Sequence, residues 1–253
     1  MELQKYLDYL VQWLQEQVKL ANAKGLIVGI SGGIDSAVTI ALVKKAMLDN
    51  HLAVFMPCYS SSNDEILVKK LVATLDLKLQ IINLESAYNE LQNNFNWHDA
   101  LSSSSSPLQQ KALVNCKPRL RMTSLYALAQ ANEYLVVSTS NFDEWYTGYF
   151  TKHGDSACDI LPLIHLLKSQ INTAAKLLNI PQEIINQQPS AGLWAGQTDE
   201  KEMGITYVEL DNFLNGQEKL LDNNIVTKIK MMHKNTEHKR KLAIIPKKFI
   251  FKN

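Results

Sequence analysis

Four short apolar runs, separated by longer stretches of helical character, place the strongest limit on how this chain folds. They occupy residues 25–30, 52–56, 79–84 and 134–139. Runs of this length without polar alternation are typical of strands that are buried on both faces. Strands that alternate with helices form a parallel sheet covered by helices. The sequence therefore predicts a three-layer α/β fold with a parallel, twisted sheet flanked by helices.

The helical segments are recognised by their apolar spacing. Five aliphatic residues at positions 3, 7, 10, 14 and 18 predict an amphipathic helix over residues 3–18. Its narrow stripe suits packing against a second helix, either of the same chain or of another subunit. Further helices are predicted at about 113–130, 168–178, 206–214 and 218–234. No internal repeat is visible, and residues 1–253 are predicted to form one domain.

The segment Ser-Gly-Gly-Ile-Asp-Ser at 31–36 directly follows the first predicted strand and precedes a helix. Glycines let the backbone bend tightly and approach a ligand, and the amides at a helix start attract an anion. Ser31 and Ser36 add hydroxyl donors, while Asp35 supplies a hard oxygen ligand for the magnesium that accompanies a nucleotide triphosphate. No Gly-Lys-Ser/Thr follows, so this is not the kinase-type phosphate loop. An ordinary helix N-cap is the structural alternative, and one segment can serve both purposes.

Composition argues for a cytoplasmic protein without a membrane partner. No stretch of the chain reaches the roughly 18–20 apolar residues that a membrane-spanning helix needs. The N-terminus lacks the basic start and apolar core of a secretory signal. The cysteines Cys58, Cys116 and Cys158 share no metal-ligand spacing, which favours reduced thiols.

Charge is distributed unevenly along the chain. The formal net charge is +1, yet residues 228–253 hold nine Lys and Arg against one acid, Glu237. Such a segment is typically solvated or binds nucleic acid; alternatively it closes over a polyanionic small molecule or over an acidic face of a partner subunit. The serine-rich stretch at 101–107 lacks periodicity and predicts a mobile loop over about 95–112, as a surface insertion or as a substrate lid.

The loop at 31–36 resembles the pyrophosphate loop of the N-type ATP pyrophosphatases, which cut ATP between its α- and β-phosphates and adenylate a substrate oxygen. Further stretches resemble ammonia-dependent NAD synthetases in content, order and separation. They are NCKPRLRM at 115–122, EWYTGYFTKHGD at 144–155, PSAGLWAGQTDE at 189–200 and TEHKR at 236–240. The resemblance covers almost the whole chain and implies a Rossmann-like, adenine nucleotide alpha hydrolase-like fold.

The resemblance also implies roles for individual residues. Those expected at ATP are Gly29, Ile30, Ser31, Gly32, Gly33, Ile34, Asp35, Ser36, Thr139, Lys168 and Ser190. Those expected at deamido-NAD are Arg119, Lys152, Asp159, His238 and Lys239. Asp35 and Glu144 are expected to hold Mg²⁺. Lys168 and Asp159 are the candidate catalytic groups, with Asp159 a hypothetical base for ammonium. Two positions depart from the family: Ser138 replaces a usual glycine and Pro118 a frequent alanine.

The implied reaction is an amidation that forms a carbon–nitrogen bond. The nicotinate carboxylate attacks the α-phosphate of ATP, pyrophosphate leaves, and ammonia then displaces AMP from the acyl-adenylate. Lys168 and magnesium are expected to offset the charge of the leaving pyrophosphate. Glutamine-using relatives carry a separate amidotransferase domain, whereas here the synthetase pattern begins within the first 35 residues. Free ammonia, or ammonia from another protein, is therefore the expected nitrogen source.

Three other functions use similar residues. Amidation of nicotinate mononucleotide needs the same chemistry and few altered motif residues. Modification of transfer RNA on the same loop usually needs a cysteine pair or a catalytic cysteine, and neither Cys58 nor Cys116 has a partner spacing; no nucleic-acid partner is expected. A nucleotide-binding regulator without turnover has no need of Asp35, Glu144 and Lys168 together. The resemblance further implies a homodimer that binds substrate partly at the subunit interface.

Overall fold

The computed structural model describes residues 2–95, 106–194 and 196–247. Four strands form one sheet in the order β3-β2-β1-β4, and every neighbouring pair is parallel. Their bounds are β1 Gly25–Ile30, β2 His51–Phe55, β3 Leu79–Ile81 and β4 Tyr134–Val137. In the central pair, Leu26 lies opposite His51, and on the other side Gly25 lies opposite Tyr134. The predicted parallel sheet is confirmed.

Helices fill the connections between the strands and follow the last one. In the first half of the chain they are α1 Glu2–Leu20, α2 Ile34–Ala46, α3 Ser62–Leu75, α4 Glu85–Asn93, α5 Pro107–Val114 and α6 Cys116–Asn132. After β4 come α7 Phe142–Thr147, α8 Lys168–Leu177, α9 Gln182–Ile185, α10 Asp199–Met203, α11 Tyr207–Leu214 and α12 Asn223–Asn235. Two 3₁₀ turns, Glu218–Leu220 and Glu237–Lys239, flank α12. Among the described residues, no helix has the length and apolar character that crossing a membrane requires.

Side chains alternate between the two faces of the central strand, as the two-residue repeat of a strand demands. Leu26 and Val28 join a core that also contains the buried residues of α1, α2 and α8, whereas Ile27 joins a second core on the opposite face with α4 and α6. Both faces of the sheet are thus covered, and the three-layer prediction is confirmed.

The first helix buries its predicted stripe inside the chain. Leu7, Leu10, Leu14 and Val18 are buried, and α1 packs against α2 and α8. Of the two partners considered for this stripe, the structure shows the internal one.

Three predicted elements have different bounds in the structure. The helix expected at 113–130 is two helices that meet at Asn115. The helix expected from 218 begins only at Asn223, because the Asp222 side chain accepts a hydrogen bond from the Asn224 amide (2.7 Å) and starts it there. The predicted strand 79–84 is paired only over Leu79–Ile81, at the sheet edge.

The prediction of a loop over about 95–112 was partly wrong. Residues 107–114 form α5, which has a proline at its first position and a capping box between Ser106 and Gln109. Proline and a serine cap favour a helix start, so the local signal outweighed the polar composition. Residues 96–105 lie outside the described part of the chain, and the prediction for them is untested.

Strand order determines where the chain leaves room for a ligand. From β1 the chain continues to β2 and β3 on one side, and β4 lies on the other side. The connections after β1 and β4 diverge at this point, and ligands of open α/β sheets bind in the crevice that results at the carboxyl ends of the strands. The segments 31–36 and 138–144 meet there.

Candidate active site

The segment after β1 forms a tight loop stabilised by its own serines. The Ser31 amide donates to Ser36 Oγ (3.2 Å), Ser36 Oγ donates to the Gly33 carbonyl (2.9 Å), and the Gly33 amide donates to Ser31 Oγ (3.2 Å). Gly32 has a φ of +86°, and a Cβ there would lie 3.1 Å from the Asp64 carbonyl, so only glycine fits. No side chain caps α2 at Gly33. The helix start therefore keeps its amides available for an anion.

Lys168, the first residue of α8, is buried and lies against Asp35. Its Nζ is 2.5 Å from Asp35 Oδ2. Burial by itself lowers the pKa of a lysine, but the nearby carboxylates of Asp35 and Glu144 hold the pKa of Lys168 above its ordinary value. The residue is therefore a fixed positive charge beside the loop at 31–36.

Asn141 joins the two halves of this site and was not predicted. As the N-cap of α7, its Oδ1 accepts a hydrogen bond from the Glu144 amide (3.0 Å), while its Nδ2 donates to Asp35 Oδ1 (2.9 Å). An Asn followed three residues later by Glu is a sequence signature of such a cap. Its bond to Asp35, which is 106 positions away, is visible only in the fold.

Glu144 brings a second carboxylate to the same place. Burial, and then the charge of Asp35, raise its pKa well above the ordinary range, while Lys168 opposes the shift. A buried carboxyl group beside the charge of Asp35 is a natural site for a further cation.

Asp199 and Tyr207 support Lys168 from the other side and were also missed. The Tyr207 hydroxyl donates to Asp199 Oδ2 (2.9 Å), and Lys168 Nζ lies 4.8 Å from the centre of the Tyr207 ring. Asp199 is buried, which raises its pKa, and its Oδ1 has no hydrogen-bond partner among the described residues. Asp199 lay within the segment 189–200 that signalled the family, but nothing in its spacing distinguished its role.

These residues fit a magnesium ion. Asp35 and Glu144 supply hard oxygen ligands near a buried, partnerless carboxylate oxygen of Asp199. No group of three His, Cys, Asp or Glu side chains in the described ranges is close enough to form a complete metal site. Magnesium usually binds through one or two carboxylates and takes its other ligands from water and phosphate, so a two-carboxylate site suits it.

A pair of acids holds the start of α8. Asp143 Oδ2 accepts a hydrogen bond from the Lys168 amide (2.9 Å), and Asp211 Oδ2 accepts one from the Ser169 amide (3.1 Å). Burial, followed by the closeness of Asp211, raises the pKa of Asp143 to about 8. Near neutral pH Asp143 therefore keeps its proton, which reduces the repulsion between the two carboxyl groups beneath Lys168.

Four of the residues predicted to contact deamido-NAD form a chain of contacts. Arg119 on α6 is exposed and donates through Nε to the Lys152 carbonyl (3.3 Å). Lys152 in turn donates through Nζ to the carbonyl of His238 (2.7 Å), whose side chain is exposed. Lys239 donates to the carbonyls of Gly148 and Phe150 (both 2.8 Å). The structure thus brings α6, the segment after α7 and the basic C-terminal region together.

Residues 233–240, here called the C-terminal arm, complete the end of α7. The Thr236 hydroxyl donates to the Thr147 carbonyl (3.0 Å), and Arg240 donates through Nη1 to the carbonyls of Tyr146 (3.1 Å) and Trp145 (3.3 Å). Donors and cations at a helix C-terminus satisfy its last carbonyls. Part of the basic segment therefore packs on its own chain.

Asp159 and the remaining ATP candidates make contacts outside the cluster around Lys168. Asp159 Oδ2 accepts from the Val136 amide (2.7 Å) and Oδ1 from the Tyr126 hydroxyl (3.3 Å), beside a cavity of about 560 Å³. Its contacts are thus with β4 and α6 rather than with Lys168. Thr139 is half-buried just beyond β4, and the exposed Ser190 accepts a hydrogen bond from the Gly192 amide (3.1 Å).

Comparisons with known proteins agree with this site. The pattern of the family described as NAD synthase matches residues 6–243. A relative from Mesoplasma florum, named NH(3)-dependent NAD(+) synthetase, is 46% identical over 249 residues, which cover 98% of this chain and 99% of the relative. A relative of the same name from Mycoplasmopsis pulmonis is 45% identical over 248 residues, with 96% and 91% covered.

Solved structures show the same fold. The structure of NMN synthetase from Francisella tularensis has a TM-score of 0.89 and 38% identity, covering 98% of this chain and 99% of that one. The NH3-dependent NAD synthetase from Campylobacter jejuni, in complex with nitrate, has a TM-score of 0.80 and 29% identity, with 98% and 100% covered. With an uncapped helix start after the loop at 31–36, a lysine and two carboxylates beside it, and relatives matched along nearly its whole length, the chain belongs to the NAD synthase family.

Proposed function

We propose that this chain is an ammonia-dependent NAD⁺ synthetase, a ligase that adenylates the nicotinate carboxylate of deamido-NAD with ATP and then amidates it with ammonia, releasing AMP and pyrophosphate. The observation that carries the proposal is the cluster of Lys168, Asp35 and Glu144 beside the loop at 31–36. It stands at the sheet's switch point in a chain whose relatives of that name are 40–46% identical over nearly its full length.

ATP is proposed to bind with its phosphates on the loop formed by Gly29, Ile30 and residues 31–36. The uncapped start of α2 and the Ser31 and Ser36 hydroxyls supply donors for phosphate oxygens. Thr139 and Ser190 are proposed as further ATP contacts. Thr139 follows β4 at this edge, and Ser190 follows Pro189, whose carbonyl accepts a hydrogen bond from the Asp199 amide (3.1 Å). Lys168 would leave Asp35 for the phosphates and offset the charge that develops on the departing pyrophosphate.

Asp35 and Glu144 are proposed to hold Mg²⁺, which when bound would neutralise phosphate charge and orient the phosphates. The chain's own part is to keep the two carboxylates in place. Asn141 donates through Nδ2 to Asp35 Oδ1 (2.9 Å) and through its backbone amide to Glu144 Oε2 (3.4 Å), and Asp199 adds negative potential from behind Lys168. Release of Lys168 from Asp35 makes the Asp35 carboxylate available at the moment when the lysine meets phosphate.

Deamido-NAD is proposed to bind along Arg119, Lys152, His238 and Lys239, with Asp159 at the far end. Orientation of two anions against each other supplies part of the rate, because it replaces a bimolecular encounter by a held geometry. For Asp159, a role as base for ammonium would use the lone pairs that remain free, because Oδ2 already accepts from the Val136 amide and Oδ1 from the Tyr126 hydroxyl.

Nicotinate mononucleotide is the second candidate acceptor. The observation in its favour is the similarity to the NMN synthetase structure from Francisella tularensis, at 38% identity and a TM-score of 0.89. The phosphate loop, Lys168 and the carboxylate pair serve either acceptor equally, since they act on ATP. Curated relatives at 40–46% identity that carry the NAD synthetase name favour the dinucleotide.

A homodimer in the cytoplasm is proposed as the working state. The exposed Arg119 and His238 side chains leave the acceptor region open, and a second subunit would provide a wall there. Sedimentation at micromolar concentration tests this: a monomer that turns over at its full rate excludes a shared site.

The function is tested by giving the purified protein ATP, Mg²⁺ and ammonium with either deamido-NAD or nicotinate mononucleotide, and following AMP and amide product. NAD⁺ formed with the higher kcat/KM supports the proposal, and a higher kcat/KM for the mononucleotide replaces it with the second candidate. Absence of AMP with both acceptors, in a protein that binds ATP, contradicts both. Lys168→Met serves as the control for contaminating activity.

A further inference from the structure

Helix α6 turns an unusual face toward the sheet. Lys117, Arg121, Leu125 and Ala129 recur every four residues, a spacing that places side chains on one side of a helix. Leu125 and Ala129 are buried against the sheet, and Lys117 is buried as well. The inward stripe is therefore cationic in its first half and apolar in its second.

The cationic half lies at the functional edge of the sheet. Helix α6 leads into β4, which is parallel to β1, so the start of α6 lies at the carboxyl ends of the strands. Arg121 Nε donates to the Met56 carbonyl (3.0 Å), one residue beyond the end of β2. The Met56 side chain in turn lies next to Gly29, where a Cβ would be 3.2 Å from Met56 Cε. Arg121 is thus one strand away from the loop at 31–36.

The two cations of the stripe differ in their partners. Lys117 donates to the Leu193 carbonyl (2.8 Å) and lies over the rings of Tyr59 and Tyr88 at 5.5 and 5.4 Å. Arg121 has only the bond from Nε to Met56; within the described ranges, no carboxylate lies within ion-pair distance of it and no protein acceptor bonds to its Nη groups. Burial lowers the pKa of Arg121, and the more distant charges of Cys58, Asp155 and Asp64 offset this shift only in part.

Arg121 is also distinct from the neighbouring residue predicted at the acceptor. Arg119 lies two positions earlier, so it points to another side of α6, where it is exposed and contacts Lys152. A planar guanidinium with two free Nη groups is suited to bind two oxygens of a phosphate or carboxylate at once.

We propose that Arg121 binds an oxyanion of the bound nucleotides, an α-phosphate oxygen of ATP or an oxygen of the acceptor nucleotide. The ligand class rests on the function proposed above, whereas the site rests on the position of Arg121 and its free donors. In the nucleotide-free protein Arg121 is then a cost to stability, because a desolvated charge lacks its partner.

The test measures binding and stability separately in Arg121→Met and Arg121→Lys, without turnover. Calorimetric titrations use Mg²⁺-ATP alone, deamido-NAD alone and inorganic pyrophosphate alone. We expect Arg121→Met to bind one of the two nucleotides about 10- to 100-fold more weakly, the usual loss for a charged hydrogen-bonded pair. A loss with ATP but not with pyrophosphate identifies the α-phosphate, and a loss with deamido-NAD identifies the acceptor. The affinity of Arg121→Lys for the same ligand should fall several-fold.

Stability separates binding from a structural role. We expect the melting temperature of the nucleotide-free Arg121→Met protein to equal or exceed that of the wild type, whereas the matched variant Arg240→Met, which loses bonds to three backbone carbonyls, should melt lower. Lys69→Met, which removes an exposed charge on α3, should change neither binding nor melting. Unchanged affinities in both Arg121 variants overturn the proposal, as does a lower melting temperature with unchanged affinities. A wild type that binds neither nucleotide overturns the proposed function itself.

Discussion

Single residues at this site stabilise one another only as a charged set. Lys168 has a raised pKa because the carboxyl groups of Asp35 and Glu144 lie beside it, and Glu144 has a raised pKa because it is buried next to Asp35. Removing one of these side chains leaves the others without their charged partner. The loss of stability is therefore larger than the energy of the single contact that is removed.

We predict that Lys168→Met destabilises the nucleotide-free protein by about 3–5 kcal/mol, the typical cost of breaking a buried ion pair from one side. The loss leaves Asp35, Glu144 and Asp199 facing one another without a cation. Asp35→Asn should cost less, because Lys168 keeps Glu144 as a partner. Urea unfolding of the two single variants and the double variant measures the difference; equal losses, or a larger loss in Asp35→Asn, would contradict this account.

The acid pair beneath Lys168 should make stability depend on pH. Asp143 has a pKa of about 8 when folded, against about 3.9 for an unfolded aspartate. Between these values the folded state holds a proton that the unfolded state releases, so the free energy of unfolding falls as pH rises from about 4 to 8 and this contribution levels off above.

Asp211→Asn should weaken that dependence. It removes the neighbouring negative charge and offers an amide donor, and both changes lower the pKa of Asp143. Denaturant unfolding between pH 5 and 8, without nucleotide or metal, should show a smaller slope in the variant. Glu144 and Asp199 also have raised pKa values, but they contribute to the pH dependence of both proteins. The difference in slope between the wild type and Asp211→Asn therefore reports on Asp143. Equal slopes would mean that Asp211 does not raise the pKa of Asp143.

At the scale of elements, α7 depends on its two ends. It has only six residues, too few for a stable helix by itself, yet it carries Glu144. Asn141 caps its start, and the C-terminal arm satisfies its end, where Gly148 has a φ of +68°. A segment more than 80 residues later in the chain thus determines where a proposed magnesium ligand lies.

We predict that Gly148→Ala displaces the C-terminal arm. A Cβ at this position would lie 2.3 Å from Thr236 Cβ, so the arm must move, and kcat should fall at least several-fold as Glu144 loses its support. Gly216→Ala is the matched control: its φ is +76° but nothing lies within 4 Å of the added atom. Both variants carry a strain of about 1 kcal/mol. Hydrogen exchange of the backbone amides of residues 233–240 should become faster in Gly148→Ala but not in Gly216→Ala. Equal exchange rates in the two variants would mean that the C-terminal arm is not displaced.

At the scale of the whole molecule, the strand order β3-β2-β1-β4 brings the loop at 31–36 and the start of α7 to one crevice. A nucleotide bound in this crevice would bridge the loop at 31–36 and the start of α7, which the hydrogen bond between Asn141 and Asp35 already joins, so binding and global stability are linked. A ligand that binds only the folded state stabilises it by about 2.7 kcal/mol at one hundred times its Kd.

We therefore predict that saturating Mg²⁺-ATP raises the melting temperature by about 5–10 °C, given a shift of roughly 2–4 °C per kcal/mol for a protein of this size. In Glu144→Gln, ATP should still raise it, but added Mg²⁺ should no longer enlarge the rise. Thermal denaturation with and without Mg²⁺ distinguishes these cases. An undiminished magnesium effect in Glu144→Gln would remove this residue from the proposed metal site.

Local patterns in the sequence determined the fold class and the tight loop at 31–36. The buried runs predicted parallel strands, the spacing of Leu7, Leu10 and Leu14 predicted α1, and glycines between a strand and a helix predicted an anion-binding turn. Each depends on periodicity or backbone freedom within a few residues, which the sequence displays directly. At 107–114 two local signals conflict: the polar composition favours a loop, whereas the cap at Ser106 favours a helix. The structure has the helix.

The partners inside the site were decided by the tertiary structure alone. Lys168 meets Asp35 across 133 positions, and Asn141 meets it across 106. Likewise, Arg240 looks like any basic residue of a charged tail until the fold places it on the carbonyls of α7. Hydrogen bonds and ion pairs act over a few ångströms, so their partners depend on strand order and helix packing rather than on distance along the chain.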